Sequence, residues 1–179
     1  VHESGGEIRI DLTASDTYTL QYDVTFDPAF DFSKGGKLPG LAGGTGTSGG
    51  TKCTGDGWSG KLMWRENGAL KLYLYHMDMP DNTGEYFDLN FTAPKGERIT
   101  IKENITMNTG SNNDGKIAVY INGDLKLNLT SVKFMLTTDT YKPNISMILF
   151  YSFFGGSTAE WAPSATVYSF FDNVKLWNY

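Results

Sequence analysis

Alternation of apolar and polar positions dominates this chain. Tyr18-Thr-Leu-Gln-Tyr-Asp-Val-Thr-Phe26 alternates and stops at Asp27-Pro28. Lys61–Trp64 and Leu70–Tyr75 flank Glu66-Asn67-Gly68, and Lys116–Ile121 and Leu125–Leu129 flank Asn122-Gly123; both are hairpin signals. Ile99–Met107, Ile145–Phe154 and Thr166–Trp177 supply further strands. No segment of useful length carries an apolar stripe at helical spacing. Many short antiparallel strands in one chain predict an all-β, single-domain jelly-roll sandwich of two sheets spanning residues 1–179. The Gly-rich run from Gly35 to Gly50 reads as a long loop, and such loops inside compact domains are usually functional or mobile.

The hairpin around Asn67-Gly68 is the most informative segment. A two-residue turn would pair Lys61 with Leu74 and mix the faces. A three-residue turn with Gly68 left-handed keeps Leu62, Trp64, Leu70 and Leu72 on the apolar side. It then sets Lys61 opposite Tyr73 and Ser59 opposite Tyr75. The other face thus gathers Ser59, Lys61, Met63 and Arg65 from one strand and Lys71, Tyr73 and Tyr75 from the other. Such a face is either a solvated surface or a site.

Composition narrows the classes. The 179 residues are enough for one domain with a real core, and 14% are aromatic. The net charge of −5 speaks against nucleic-acid binding, and an anionic polymer would need a local basic patch. No stretch is long and apolar enough for a membrane span, so no membrane partner is expected. The single cysteine, Cys53, leaves no internal disulfide and reads as a buried thiol. Sequons at Asn90, Asn104, Asn128 and Asn144 permit secretion, and a secreted or virus-encoded monomer is expected. The chain opens on Val1, which suits a removed leader or neighbouring domain. Asp78, Asp81, Glu85 and Asp88 are read as scattered over a loop without a calcium-loop spacing; no cofactor or catalytic metal is expected, with Asp172 the candidate for a structural calcium site.

Gly35-Gly-Lys-Leu-Pro-Gly-Leu41 followed by Gly57-Trp-Ser-Gly-Lys-Leu-Met-Trp-Arg65 resembles polysaccharide lyase families 14 and 20, the alginate and glucuronan lyases. Phe153-Phe-Gly-Gly-Ser157, Trp161-Ala-Pro163 and Phe171-Asp-Asn-Val174 are similar to the same group. The resemblance implies a jelly roll with a concave substrate cleft and endo-type cleavage of a 1,4-linked polyuronate by β-elimination. It places the family's lysine on Lys37, its serine on Ser59 and its tyrosine pair on Tyr73 and Tyr75. Where the family pattern has an arginine, this chain has Lys61, which keeps the charge but loses the planar fork.

A uronate lyase removes the C5 proton beside an ionised carboxylate and expels O4. The carboxylate must be neutralised by cations or strong donors. A base must take the proton and an acid must protonate O4. Nearby lysines would favour a tyrosine phenolate, so Tyr75 or Tyr73 is expected as base and acid, with Lys37, Lys61 and Ser59 meeting the carboxylate. Lys37 becomes the base instead if burial and like charge depress its pKa. Arg65 shares the face and is a candidate substrate-binding residue that could compensate for the missing fork at Lys61, though at the turn it is expected to be solvated. Trp58 and Trp161 are aromatic candidates for a sugar ring or for core and edge positions. The Phe153–Gly156 stretch is expected to bring a loop to the cleft. His2 and His76 are weaker candidates, His76 pointing away from the Tyr75 face. The alternative is a non-catalytic carbohydrate-binding module on the same scaffold; a glycoside hydrolase would need a close carboxyl pair, which the strand faces lack.

Overall fold

A computed structural model describes residues 5–156 and 158–178. Its strands are β1 (Gly6–Ser15), β2 (Thr17–Phe26), β3 (Gly35–Gly44), β4 (Gly57–Arg65), β5 (Ala69–Tyr75), β6 (Glu85–Thr92), β7 (Arg98–Thr106), β8 (Gly115–Ile121), β9 (Asp124–Val132), β10 (Ile145–Phe154) and β11 (Ser169–Trp177). They form a six-stranded sheet, β1-β10-β3-β4-β5-β6, facing a five-stranded sheet, β11-β2-β7-β8-β9. All ladders are antiparallel, the jelly-roll sandwich expected from the alternation.

The core lies between the sheets because each strand turns its apolar face inward. Leu20, Tyr22, Val24 and Phe26 of β2 and Ile99, Ile101 and Ile105 of β7 meet Leu62 and Trp64 of β4 and Leu70, Leu72 and Leu74 of β5. At one end, Trp64 packs edge-on against Phe26, Phe30 and Phe154, with ring centroids 5.4–5.7 Å apart. Trp58 is fully buried in this core, where its indole N–H donates to the Asn144 carbonyl at 2.9 Å, so it is not a sugar-stacking residue.

The Gly-rich run departs from the expected loop. Its first ten residues are β3, an inner strand between β10 and β4; the loop spans only 45–56. The glycines make room for neighbours: a Cβ on Gly36 would sit 2.0 Å from the Trp64 indole and one on Gly40 would sit 2.0 Å from the Gly60 carbonyl oxygen. Pro39 cannot donate to a ladder, and the register shifts around it against both neighbouring strands. The resulting bulge lets Lys37, Gly40 and Ala42 share the outer face, while Leu38 and Leu41 enter the core. Two groups from the opposite sheet meet the bulge. The Tyr22 hydroxyl donates to the Pro39 carbonyl at 3.1 Å, and the Leu41 amide donates to Glu103 Oε2 at 3.2 Å.

Two further strands, β1 and β6, were not expected. Glu85 and Asp88 therefore lie on a strand, not in a loop, and both are paired, with His76 at 2.9 Å and Lys71 at 3.0 Å respectively. The C-terminal strand begins at Ser169 rather than Thr166.

Candidate active site

The β4–β5 ladder has the register that the three-residue turn dictates. Ser59 faces Tyr75, Lys61 faces Tyr73, and pairing runs on to Trp64 and Leu70. Asn67 (φ 60°) and Gly68 (φ 84°) take the left-handed conformations the turn needs. On the other side of β4, Lys37 pairs with Met63. The outer face of the six-stranded sheet thus collects Lys37, Ser59, Lys61, Tyr73 and Tyr75 on three adjacent strands.

Both lysines lie in this face, Lys61 buried and Lys37 half-buried. Lys61 is 2% exposed, with its Nζ 5.2 Å from the Tyr151 ring centroid and 5.8 Å from that of Tyr75. Lys37 Nζ lies 4.0 Å from the Tyr73 ring centroid and 3.0 Å from Met63 Sδ. Among the described residues, no carboxylate lies within ion-pair distance of either ammonium. Burial, reinforced by the charges of Lys61 and Arg65, lowers the Lys37 pKa to about 7. Burial lowers Lys61 to about 8, with Glu7 across the sheet opposing the fall.

Tyr73 departs from the expected phenolate. Burial pushes Tyr73 well above the usual phenol value, and its hydrogen bond with Tyr75 adds to the effect. The Tyr73 and Tyr75 hydroxyls are 2.9 Å apart, and the Gly50 amide donates to the Tyr75 oxygen at 2.9 Å. The loop 45–56 that carries Gly50 thus reaches over Tyr75, which is fully buried. Ser59 is fully buried too, and its hydroxyl donates to the Thr47 carbonyl at 2.6 Å. It ties this loop to β4 instead of presenting a free donor. Cys53, on the same loop, is buried, and burial pushes its thiol up to about 12.

The other sequence candidates separate. Arg65 is not freely solvated: its guanidinium carbon lies 5.5 Å from the Tyr86 ring centroid and 5.3 Å from that of Trp161. Phe153 pairs with Lys37 on the outer face, but Phe154 belongs to the core. His76 is buried beside Glu85. Asp172 is exposed and accepts the Asn173 amide at 2.7 Å. Among the described residues no three His, Cys, Asp or Glu side chains cluster as a metal site would require. His2 lies outside the described residues. A hollow of about 1040 Å³ opens at the sandwich edge near Ile8, Phe150 and Phe171, and none of the cationic side chains lines it.

Sequence reasoning missed Tyr86, Tyr151 and Glu7. Their strands carried the signal: Phe87, Leu89 and Phe91 alternate with Tyr86 and Asp88, and Ile8, Ile10 and Leu12 alternate with Glu7, Arg9 and Asp11.

The two-sheet jelly roll is the fold of a class of polysaccharide lyases. The chain belongs to polysaccharide lyase family 14, whose family model matches residues 6–174. Among solved structures, the chain is similar to the alginate lyase Aly36B, in a variant complexed with an alginate trisaccharide, at 30% identity and TM-score 0.87, covering 97% of this chain and 75% of that one. It is similar to the alginate lyase of Aplysia kurodai at 30% identity and TM-score 0.75, covering 91% and 70%. It is similar to the alginate lyase vAL-1 from Chlorella virus at 25% identity and TM-score 0.77, covering 92% and 72%. A comparison with curated proteins found no match.

Proposed function

We propose that this lyase cleaves internal linkages of alginate by β-elimination, with Lys37 as the base, Tyr73 as the acid and Lys61 as the carboxylate's cation. The observation that carries this reading is the pair of neighbouring lysines, Lys61 buried and Lys37 half-buried, with no carboxylate partner among the described residues. Burying a cation without a counter-ion is costly, and such groups mark sites completed by an anionic ligand. The two lysines also divide the work. Near neutral pH Lys37 is partly the free amine, while Lys61 is mostly the ammonium.

In the proposed reaction the Lys37 amine takes the C5 proton while Lys61 neutralises charge building on the C6 carboxylate. The C5 electron pair forms the C4=C5 double bond, and the C4–O4 bond breaks. O4 leaves with the proton of Tyr73, whose raised pKa keeps that proton available. Tyr75, held by Gly50, fixes the Tyr73 hydroxyl from behind. Alginate is favoured over glucuronan because two relatives at 30% identity are alginate lyases.

The test is ultraviolet absorbance during incubation with polymannuronate, polyguluronate and glucuronan in parallel, since β-elimination creates a conjugated, absorbing uronate. A rise on either alginate block is expected, with mid-sized oligomers among the early products. Lys37→Ala should lower the rate roughly 100-fold or more with the fold intact by circular dichroism. Cleavage of glucuronan alone would overturn the substrate, and an unimpaired Lys37→Ala variant would overturn the mechanism.

A further inference from the structure

We propose that Arg65, Tyr86 and Trp161 form a second uronate-binding subsite, which grips the polymer away from the bond being cut. This rests on the polyuronate reading of the face above. Two other cations near this face are paired: Lys71 with Asp88 at 3.0 Å and Lys34 with Glu160 at 2.5 Å. Arg65 has no carboxylate within ion-pair distance among the described residues. Instead its guanidinium lies beside two rings, 5.5 Å from the centroid of Tyr86 and 5.3 Å from that of Trp161. Aromatic contact of this kind holds a guanidinium without satisfying its N–H fork, and that fork matches a carboxylate.

The rings are themselves held. Tyr86 stacks on Tyr73 at 4.6 Å and 18°, yet remains 45% exposed, so one side backs onto the reaction centre while the residue stays open to solvent. Trp161 lies against the Gly156 backbone, where a Cβ would come within 2.3 Å of the indole. Its turn is fastened by Lys34–Glu160, by the Ser33 hydroxyl on the Ala162 carbonyl at 3.3 Å, and by the Ser164 amide and hydroxyl on Asp31 Oδ2, both at 2.9 Å. Arg65 is four residues beyond Lys61 on β4, a strand distance of about 13 Å. A polymer with an acid on every sugar can meet both cations at once, whereas a single uronate cannot.

The test compares wild type, Arg65→Ala, Arg65→Lys and Trp161→Ala on whichever of polymannuronate, polyguluronate or glucuronan the wild type cleaves. Because the Arg65 charge also lowers the Lys37 pKa, kinetics are compared at each protein's pH optimum; there Arg65→Ala should raise KM about tenfold and leave kcat within about twofold, the mark of lost binding away from the chemistry. Arg65→Lys should recover part of the loss, because it keeps the charge without the fork. Trp161→Ala, on an exposed turn, should raise KM in the same direction. An unchanged KM in Arg65→Ala would overturn the subsite. So would a shifted pH profile at unchanged KM, which would make Arg65 only a charge neighbour of Lys37. Failure of the wild type on all three polymers would instead remove the polyuronate reading, and the subsite with it.

Discussion

Glu103 offers a prediction whose size follows from its position. The side chain is fully buried between the sheets, with one oxygen accepting the Leu41 amide and the other, Oε1, without a hydrogen-bond partner. Burial raises its pKa from 4.5 to about 8. The folded state therefore holds a proton that the unfolded chain has released, and stability must fall as pH rises between those values. At about 1.4 kcal/mol per pH unit, the loss is about 3 kcal/mol by pH 7 and about 5 kcal/mol when Glu103 is fully ionised. Stability tied to the neutral carboxyl is thus complete below pH 4.5 and gone above 8. The half-buried Asp31 and the exposed Asp88 and Asp114 have lowered pKa values, so they act with the opposite sign and only at acid pH. Glu103→Gln keeps an acceptor for Leu41 and cannot ionise. Urea unfolding of both proteins from pH 5 to pH 8 isolates the effect: the wild type should lose about 3 kcal/mol or more relative to the variant. Parallel stability curves would refute the reasoning, because they would mean Glu103 binds no more protons folded than unfolded.

Two other outcomes follow from the site and its strand. The kcat/KM profile should rise through about pH 7 as Lys37 loses its proton and fall above about 8 as Lys61 loses its charge; Lys61→Arg should remove the alkaline limb, and its persistence would assign that limb to another group. Gly36→Ala should cost about 3 kcal/mol in urea unfolding, because the new Cβ would meet the Trp64 indole at 2.0 Å and the Phe153 carbonyl at 2.4 Å, and an unchanged midpoint would show that β3 has slack the structure does not suggest.

What the sequence disclosed depended on whether the information was local. The β4–β5 register was legible because only one turn length keeps Trp64 and Leu72 on the same face, and the left-handed Gly68 completes it. The β3 strand was hidden because Gly35-Gly-Lys-Leu-Pro-Gly-Leu41 has almost no strand propensity of its own. Its strand character comes from neighbours, chiefly Trp64 and the backbone of Gly60, which are distant in sequence. The grouping of Ser59, Lys61, Tyr73 and Tyr75 was readable from alternation, but their environments were not. Ser59 and Tyr75 are covered by the loop 45–56, and no periodicity reports that cover. The sign of the tyrosine shift turned on it: the lysine charges alone favour a phenolate, yet burial raises Tyr73 and lowers the lysines together.

The bulge at Pro39 joins these observations. An unbroken β3 would alternate Lys37, Pro39 and Leu41 onto one face and place Leu41, now fully buried, outside the core. With the bulge, Leu38 and Leu41 both enter the core while Lys37 and Gly40 both face outward, Gly40 directly beside Lys61. A lysine on an inner strand has neighbours on both sides and sheet behind it, so its amine loses water that an edge or loop lysine would keep. That loss of water is the largest cause of the Lys37 shift. The bulge is in turn met from the opposite sheet by Tyr22 on the Pro39 carbonyl and Glu103 on the Leu41 amide. The protonation state of the proposed base therefore depends on a backbone irregularity fastened from the far side of the core, and a carboxyl that touches no substrate belongs to the same construction.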